Sequence, residues 1–215
     1  MPWISSPGAI TEEETQNNAD ICIGLLSAYD DNTVAALLAN WELESGINPG
    51  REEVGGSGYG LIQWTPIDTL INHAQILGLS PYTNGGVQVQ VAIAEVRGNP
   101  ASLNEWYSSE GFISNYYNSG ATPDMIGVTG EQFLKNEMQW SADKLAVLYM
   151  SARERPSYDP ETNHYQQRME SALKWLEYMG GVVPPHGKPI PGWNVDALIQ
   201  YGAIAESIRK RRYFK

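Results

Sequence analysis

The sequence predicts a mainly α-helical, α+β fold: one helical domain with a small β-hairpin over residues 1–181, then a linker and a terminal helix over 182–215. Three observations lead there. Apolar residues recur at helical spacing in nearly every long segment. One short stretch, Gly55 to Trp64, instead combines glycines with period-two alternation. Finally, Val182-Val183-Pro184-Pro185-His186-Gly187-Lys188-Pro189-Ile190-Pro191-Gly192 has the composition of a semi-rigid linker.

Thr11-Glu12-Glu13-Glu14 is a capping box, and Ile21, Cys22, Leu25, Leu26 and Tyr29 continue a first helix to near Asp30. A second helix carries Val34, Leu37, Leu38 and Trp41 as an apolar stripe, with Glu44 at its edge and Glu42 on nearly the opposite, solvated side. Gly46 can end this helix in a left-handed cap and Pro49 prevents its resumption, which leaves Glu44 in the last turn at the negative end of the dipole. Desolvation against Trp41 and that dipole both disfavour a charged carboxylate, the condition a general acid needs near neutral pH. In the hairpin, alternation sends Tyr59, Leu61 and Gln63 to one face and Ile62 and Trp64 to the other, forming the opposite wall of a cleft. Bare backbone at Gly60 beside aromatic and amide side chains suits a sugar chain.

Thr65-Pro66-Ile67-Asp68 opens a third helix with Ile67, Leu70, Ile71, Ala74 and Leu77 on one face; His73 falls off that face and reads as solvated surface. Residues 86–97 fit both a strand and a helix. Residues 99–130 are loop-rich and aromatic, with Trp106, Tyr107, Phe112, Tyr116 and Tyr117 on short helices, read chiefly as core. Ser141 starts a helix with Leu145, Leu148, Tyr149 and Ala152 inward, and Arg153-Glu154-Arg155-Pro156 stops it. The last helix of the domain, 161–179, carries Tyr165, Met169, Ala172, Leu173, Leu176 and Met179 and ends at Gly180-Gly181. Beyond the linker, a helix over 194–211 is amphipathic and needs a surface to dock on.

A formal charge of −11 argues against nucleic acid as a partner, since phosphate contact needs a basic face. No run approaches a membrane span, so no membrane insertion is expected, and the N-terminal residues lack the basic and apolar regions of a signal peptide. One cysteine excludes an intrachain disulfide, and three scattered histidines suggest no metal site; no cofactor is implied.

Glu44-Ser45-Gly46-Ile47-Asn48-Pro49, followed by Gly58-Tyr59-Gly60-Leu61-Ile62-Gln63-Trp64-Thr65, resembles the lysozyme superfamily and most closely the tail-tip lysozymes of small tailed phages. The resemblance extends more weakly from about residue 12 to 181 and decides residues 86–97 as helix. It implies a lysozyme-like domain that cleaves the β-1,4 glycosidic bond of peptidoglycan, with Glu44 as proton donor and Tyr59, Gly60 and Gln63 contacting the glycan strand. It also implies residence in the virion tail, with tail proteins contacted through the terminal helix. An acidic enzyme gains nothing from electrostatic steering to a polyanionic wall, which favours a particle-borne role. Glu154-Arg155-Pro156 resembles the same phage family, and is read here as a charged helix end rather than a substrate contact.

The sequence departs from the pattern at one place. Hen-type lysozymes carry an aspartate immediately before the Tyr-Gly of the hairpin, where this chain has Gly58. A retaining glycosidase needs a second carboxyl about 5 Å from the acid, an inverting one about 6.5 to 9.5 Å. Glu52 or Glu53 in the preceding turn is placed for the wider role, and Glu53 is the preferred candidate. Goose-type lysozymes and lytic transglycosylases, which this region also resembles, rely mainly on the helix glutamate. The open alternatives are therefore a transglycosylase on the same fold and a non-catalytic structural or receptor-binding tail component.

Overall fold

The computed structural model describes residues 2–181, so the linker and terminal helix expected over 182–215 lie outside the described residues. Among the described residues eight α-helices form a single packed body: α1 (Glu12–Leu25), α2 (Asp31–Ser45), α3 (Ile67–Ile76), α4 (Gly85–Arg97), α5 (Glu110–Ile113), α6 (Gly130–Lys135), α7 (Ala142–Tyr149) and α8 (Tyr165–Tyr178). Among the described residues no helix is long and apolar enough to cross a membrane.

Helix α2 is the axis of the fold. Its N-cap, Asp30, accepts a hydrogen bond from the Asn32 amide at 3.0 Å, and its C-cap is Gly46 at φ 72°. Every residue from Thr33 to Trp41 is buried, so the helix is enclosed on all sides rather than along the one stripe expected. It packs chiefly against α8 and α7, which also pack on each other. Full burial of a side chain such as Leu37, Leu38 or Trp41 contributes about 1.5–3 kcal/mol. Asn40, also fully buried, donates from Nδ2 to Ala146 O on α7 at 3.2 Å. Glu42, expected to be solvated, instead accepts from Ser171, from Lys174 Nζ at 2.5 Å and from Trp175 Nε1 at 3.0 Å, all on α8.

The capping box at Thr11 forms as expected, with its hydroxyl accepting from the Glu14 amide and the Glu14 carboxylate accepting from the Thr11 amide. Helix α1 ends at Leu25, short of Asp30, because Asp30 is already the cap of α2. Residues 86–97 lie within α4, and their apparent alternation has a simple cause: Val87 to Val89 and Val91 to Val96 are all buried, so no solvated polar face marks the helix. Trp106 and Tyr116 are core residues, Trp106 stacking on Phe133 at 4.9 Å between ring centroids, whereas Phe112 and Tyr117 are exposed.

The hairpin is reduced to a tight turn. Tyr59 and Trp64 exchange backbone hydrogen bonds at 3.2 and 3.0 Å, and a second bridge joins Glu52 to Tyr59. Leu61, Ile62 and Trp64 are all buried, so the expected division of alternate residues between two faces does not occur. Four residues between the paired positions bend too tightly for pleating, and Gln63 adopts φ 51°.

Helix α7 continues through a π-helical turn, Met150–Glu154, that ends with Arg155 at φ 51°. Such turns insert one extra residue and redirect the side chains that follow, and they recur at functional sites.

Candidate active site

The residues between α2 and the turn explain why Glu44 stands where it does. Ser45 Oγ donates to Leu61 O at 2.9 Å and accepts from the Asn48 amide at 3.2 Å, which joins the helix end directly to the glycine-rich turn. Ile47 adopts φ 54°, an expensive conformation for a β-branched residue, of order 1–3 kcal/mol. Its surroundings hold it there: the side chain is fully buried, its amide bonds Trp41 O at 3.2 Å, and its carbonyl accepts from Asn18 Nδ2 at 2.9 Å. Asn48 is buried too and clasps the N-terminal segment through Ser6 and Gly8.

Glu44 keeps 22% of its side chain exposed. Its Oε1 accepts from Arg168 Nη2 at 2.6 Å, and the same guanidinium donates from Nη1 to Asn40 Oδ1 at 2.7 Å. Asn40 and Glu44 are four residues apart on α2 and so lie one above the other, matching the fork of a planar guanidinium. Arg168 is only 3% exposed, and its Nε is tied to Asn163 O at 3.3 Å. The expectation that Glu44 is desolvated against Trp41 is corrected here. Trp41 turns into the core and donates to Tyr149 Oη at 3.1 Å, while the partner of Glu44 is the Arg168 guanidinium.

Glu154, at the end of the π-helical turn, has a raised carboxyl. Desolvation first, and then the charge of Glu44, push it up from 4.5 to about 8; Arg153 and Arg168 oppose this and Glu95 adds to it. Glu154 Oε1 is buried and has no hydrogen-bond partner among the described residues. Sequence reasoning had taken Glu154 for a charged helix end.

Glu95 on α4 ties the surrounding elements together. Its Oε1 accepts from Trp64 Nε1 at 2.9 Å and pairs with His73 Nδ1 at 2.6 Å, while its Oε2 accepts from Arg153 Nη2 at 2.5 Å. Burial works against charge on Glu95, but the Arg153 guanidinium, with hydrogen bonds from His73, Arg153 and Trp64, outweighs burial and holds the carboxyl below its ordinary range. His73 is thus buried and paired, not the surface residue expected from its position off the apolar face of α3. Through this one carboxylate the turn, α3, α4 and the π-helical turn share a fixed geometry.

Glu53 lies in the exposed turn before Tyr59. Its amide donates to Gly58 O at 2.9 Å, and its Oε2 accepts from the Gly58 amide at 2.9 Å. A Cβ on Gly58 would stand 3.0 Å from Glu53 Oε2 and 2.9 Å from Gln63 Oε1, and one on Gly56 would strike the Glu53 carboxylate at 2.0 Å. These glycines therefore leave room for Glu53, whose carboxylate lies beside the spot from which a side chain at residue 58 would project.

Of the three residues expected to contact a sugar, Tyr59 is half-buried and packs edge-on against Tyr82 at 5.9 Å. Gln63 Nε2 donates to Gly60 O at 2.9 Å and Arg51 O at 3.2 Å, closing the turn and leaving its Oε1 without a partner among the described residues. Gly60 is buried at φ 79°, and a Cβ there would meet Gln88 Oε1 at 2.5 Å. Gln88 in turn accepts from the Leu61 amide and donates to Pro49 O and Tyr82 O. Gly60 thus seats the turn on α4.

A family of phage tail lysozymes matches this chain over residues 18–179. Morphogenesis protein 1 of Bacillus phage B103 is 26% identical over 186 residues, covering 83% of this chain and 44% of that protein. The chain therefore spans less than half the length of this curated relative.

Proposed function

Because the chain belongs to the phage tail lysozyme family, we propose that it is a peptidoglycan glycosidase of the muramidase type, carried on a phage tail to open the bacterial wall during genome entry. The observation that carries the reading is the setting of Glu44: a carboxyl at the end of a buried helix, aligned by Arg168 and joined through Ser45 to the glycine-rich turn. Glu44 protonates the glycosidic oxygen as the bond to the anomeric carbon breaks. Glu53 is the second carboxylate, activating the water that adds to the oxocarbenium-like centre. Tyr59 and Gln63 flank the strand at the turn, with Gln63 Oε1, which has no partner among the described residues, as an acceptor for a sugar hydroxyl.

A lytic transglycosylase, in which a hydroxyl of the substrate takes the place of water, is favoured by one specific observation. Position 58 carries no carboxylate, and Glu53 is already bonded to the Gly58 amide. The test is Glu44→Gln, assayed on purified peptidoglycan with mass spectrometry of the products. The amide keeps the shape and loses the proton, so turnover should fall by about three orders of magnitude or more. Turnover within about tenfold of wild type would remove Glu44 from the acid role and leave the structural reading of the chain.

A further inference from the structure

Gly58 has no Cβ, and three side-chain oxygens surround the position one would take: Gln63 Oε1 at 2.9 Å, Glu53 Oε2 at 3.0 Å and Thr65 Oγ1 at 3.2 Å. They come from both arms of the turn, Glu53 before Tyr59 and the other two on either side of Trp64. The fold fixes what each oxygen offers. Both Nε2 hydrogens of Gln63 go to Gly60 O and Arg51 O, so the amide is oriented with Oε1 toward residue 58. Gln63 is held in this pose at φ 51°, a left-handed conformation uncommon for a residue with a side chain. Glu53 Oε2 accepts from the Gly58 amide at 2.9 Å and keeps a lone pair. Thr65 Oγ1 donates to Gln63 O at 3.1 Å and presents its own lone pairs. Among the described residues, the Gly58 amide is the only donor to any of the three. Acceptors gathered so closely need a group with hydrogens, or a cation, between them. A hard cation such as calcium takes about six to eight oxygens, and three with a single charge fall short of that, whereas a water molecule matches them. Glu53 and Thr65 are exposed, so the cluster is open to solvent.

We propose that Thr65 and Gln63 hold the attacking water against Glu53, over the bare Cα of Gly58. The inference rests on the chain being a glycosidase with Glu53 as the base, and it adds the groups that aim the water. The water donates one hydrogen to Glu53 Oε2 and the other to Gln63 Oε1, whose second lone pair stays free for a sugar hydroxyl. The Thr65 hydroxyl turns from Gln63 O and donates to the water, which leaves one water lone pair for the anomeric carbon. As that pair forms the new C1–O bond, the O–H bond to Glu53 breaks and its proton stays on the Glu53 carboxylate. The electron pair of the old C1–O bond leaves with the glycosidic oxygen, which takes the proton of Glu44. Hydrolysis is then complete, and exchange with solvent returns the proton from Glu53 to Glu44. A glycine at residue 58 is part of this device, because any Cβ there would stand among the three oxygens.

The experiment is digestion of purified peptidoglycan by the full chain, Gly58→Ala and Thr65→Val, with kcat and KM separated and product ends identified by mass spectrometry. The wild type should release ordinary reducing ends, since water is what adds. In Gly58→Ala the methyl takes the place of the water. The oxygens it meets are the ends of side chains that can turn aside, so the fold accommodates it while kcat falls by about 10²-fold or more and KM stays within about threefold. Thr65→Val keeps the shape of an exposed side chain and removes one hydrogen bond to the water, so kcat should fall about tenfold, and Thr65→Ser should restore it. A merely structural role would lower the urea midpoint and the yield of active enzyme, leave kcat per folded molecule in place and show no rescue by serine. Should Gly58→Ala fail to fold, the exposed Thr65 decides alone. Anhydro ends as the main wild-type product, or an unchanged kcat in Thr65→Val, overturns the proposal, and an inactive Glu44→Gln beside either result leaves the glycosidase standing. A fully active Glu44→Gln would sink the glycosidase reading itself.

Discussion

Replacing Arg168 by methionine tests the alignment of Glu44 most directly. The thioether keeps much of the buried stem and removes the guanidinium, which at 3% exposure donates to Asn40 at 2.7 Å, to Glu44 at 2.6 Å and to Asn163 at 3.3 Å. Three acceptors lose their partner and a carboxylate loses its counterion. Breaking a buried pair by removing one member typically costs about 3–5 kcal/mol, and the orphaned Asn40 oxygen falls within that range rather than adding to it in full. For a domain of this size the loss corresponds to roughly 6–20 °C in melting temperature. Urea denaturation at neutral pH of the wild type, Arg168→Met, Glu44→Gln and the double variant closes the cycle. The two changes together should cost less than their sum by about 1–2 kcal/mol or more, because the double variant buries no unpaired charge. Arg168→Lys should recover only part of the stability, since an ammonium cannot fork to two acceptors four residues apart. A methionine variant within about 1 kcal/mol of wild type, or strict additivity with Glu44→Gln, would refute the claim that this guanidinium organises the site.

Three further outcomes are expected. Glu53→Gln should slow digestion by about 10²-fold or more if Glu53 activates water, with ordinary reducing ends among the wild-type products; a nearly neutral effect with anhydro ends would establish the transglycosylase instead. Glu154, pushed up from 4.5 to about 8, makes the folded state the stronger proton binder. Its contribution is therefore fully present below pH 4.5 and is lost as the pH rises toward 8, on the order of 3–5 kcal/mol in all, so wild-type stability should fall over that window relative to Glu154→Gln in parallel denaturation curves. A chain ending at residue 181 should fold and digest purified peptidoglycan yet fail to co-purify with assembled tails, whereas an insoluble product would assign 182–215 to the core of the domain.

The helical architecture was legible because its signals are local. The Thr11 capping box, the Gly46 cap and the apolar recurrence in α2, α7 and α8 each need only a few neighbouring residues to be read. Alternation left one element ambiguous and misled at another, for opposite reasons. In α4 burial on every side erased the polar face that distinguishes a helix from a strand, and after Tyr59 a turn too tight to pleat carried an alternating sequence. The partners of Glu44 left a weaker trace. Arg168 bonds across 124 positions, and in sequence it is one cation in a helix rich in polar residues. What sets it apart is its place among Tyr165, Met169, Ala172 and Leu176, a charge on an apolar face that requires a buried counterion. His73 and Glu154 carried no such sign: one stands off the apolar face of its helix, and the other ends a helix before a proline in a run of charges.

The aspartate missing at residue 58 changes meaning once the turn is seen in three dimensions. Read linearly, Gly58 is a deletion of function, and Glu53 is a loop charge five positions away. In the folded turn both the amide and the carboxylate of Glu53 bond residue 58, and Gly56 and Gly58 lack the atoms that would displace that carboxylate. A glycine at 58 and a glutamate at 53 are then one solution, since an aspartate at 58 would contest the space that Glu53 fills. The reasoning extends to a variant: Gly58→Asp should dislodge Glu53 and place its own carboxyl near the same spot. Paired with Glu53→Gln, it should regain digestion lost in the single Glu53→Gln variant if a carboxylate there is what the reaction needs. Should Gly58→Asp leave the Glu53→Gln enzyme no faster, the second carboxylate has no place in this turn, and attack by the substrate's own hydroxyl becomes the better account of the chemistry.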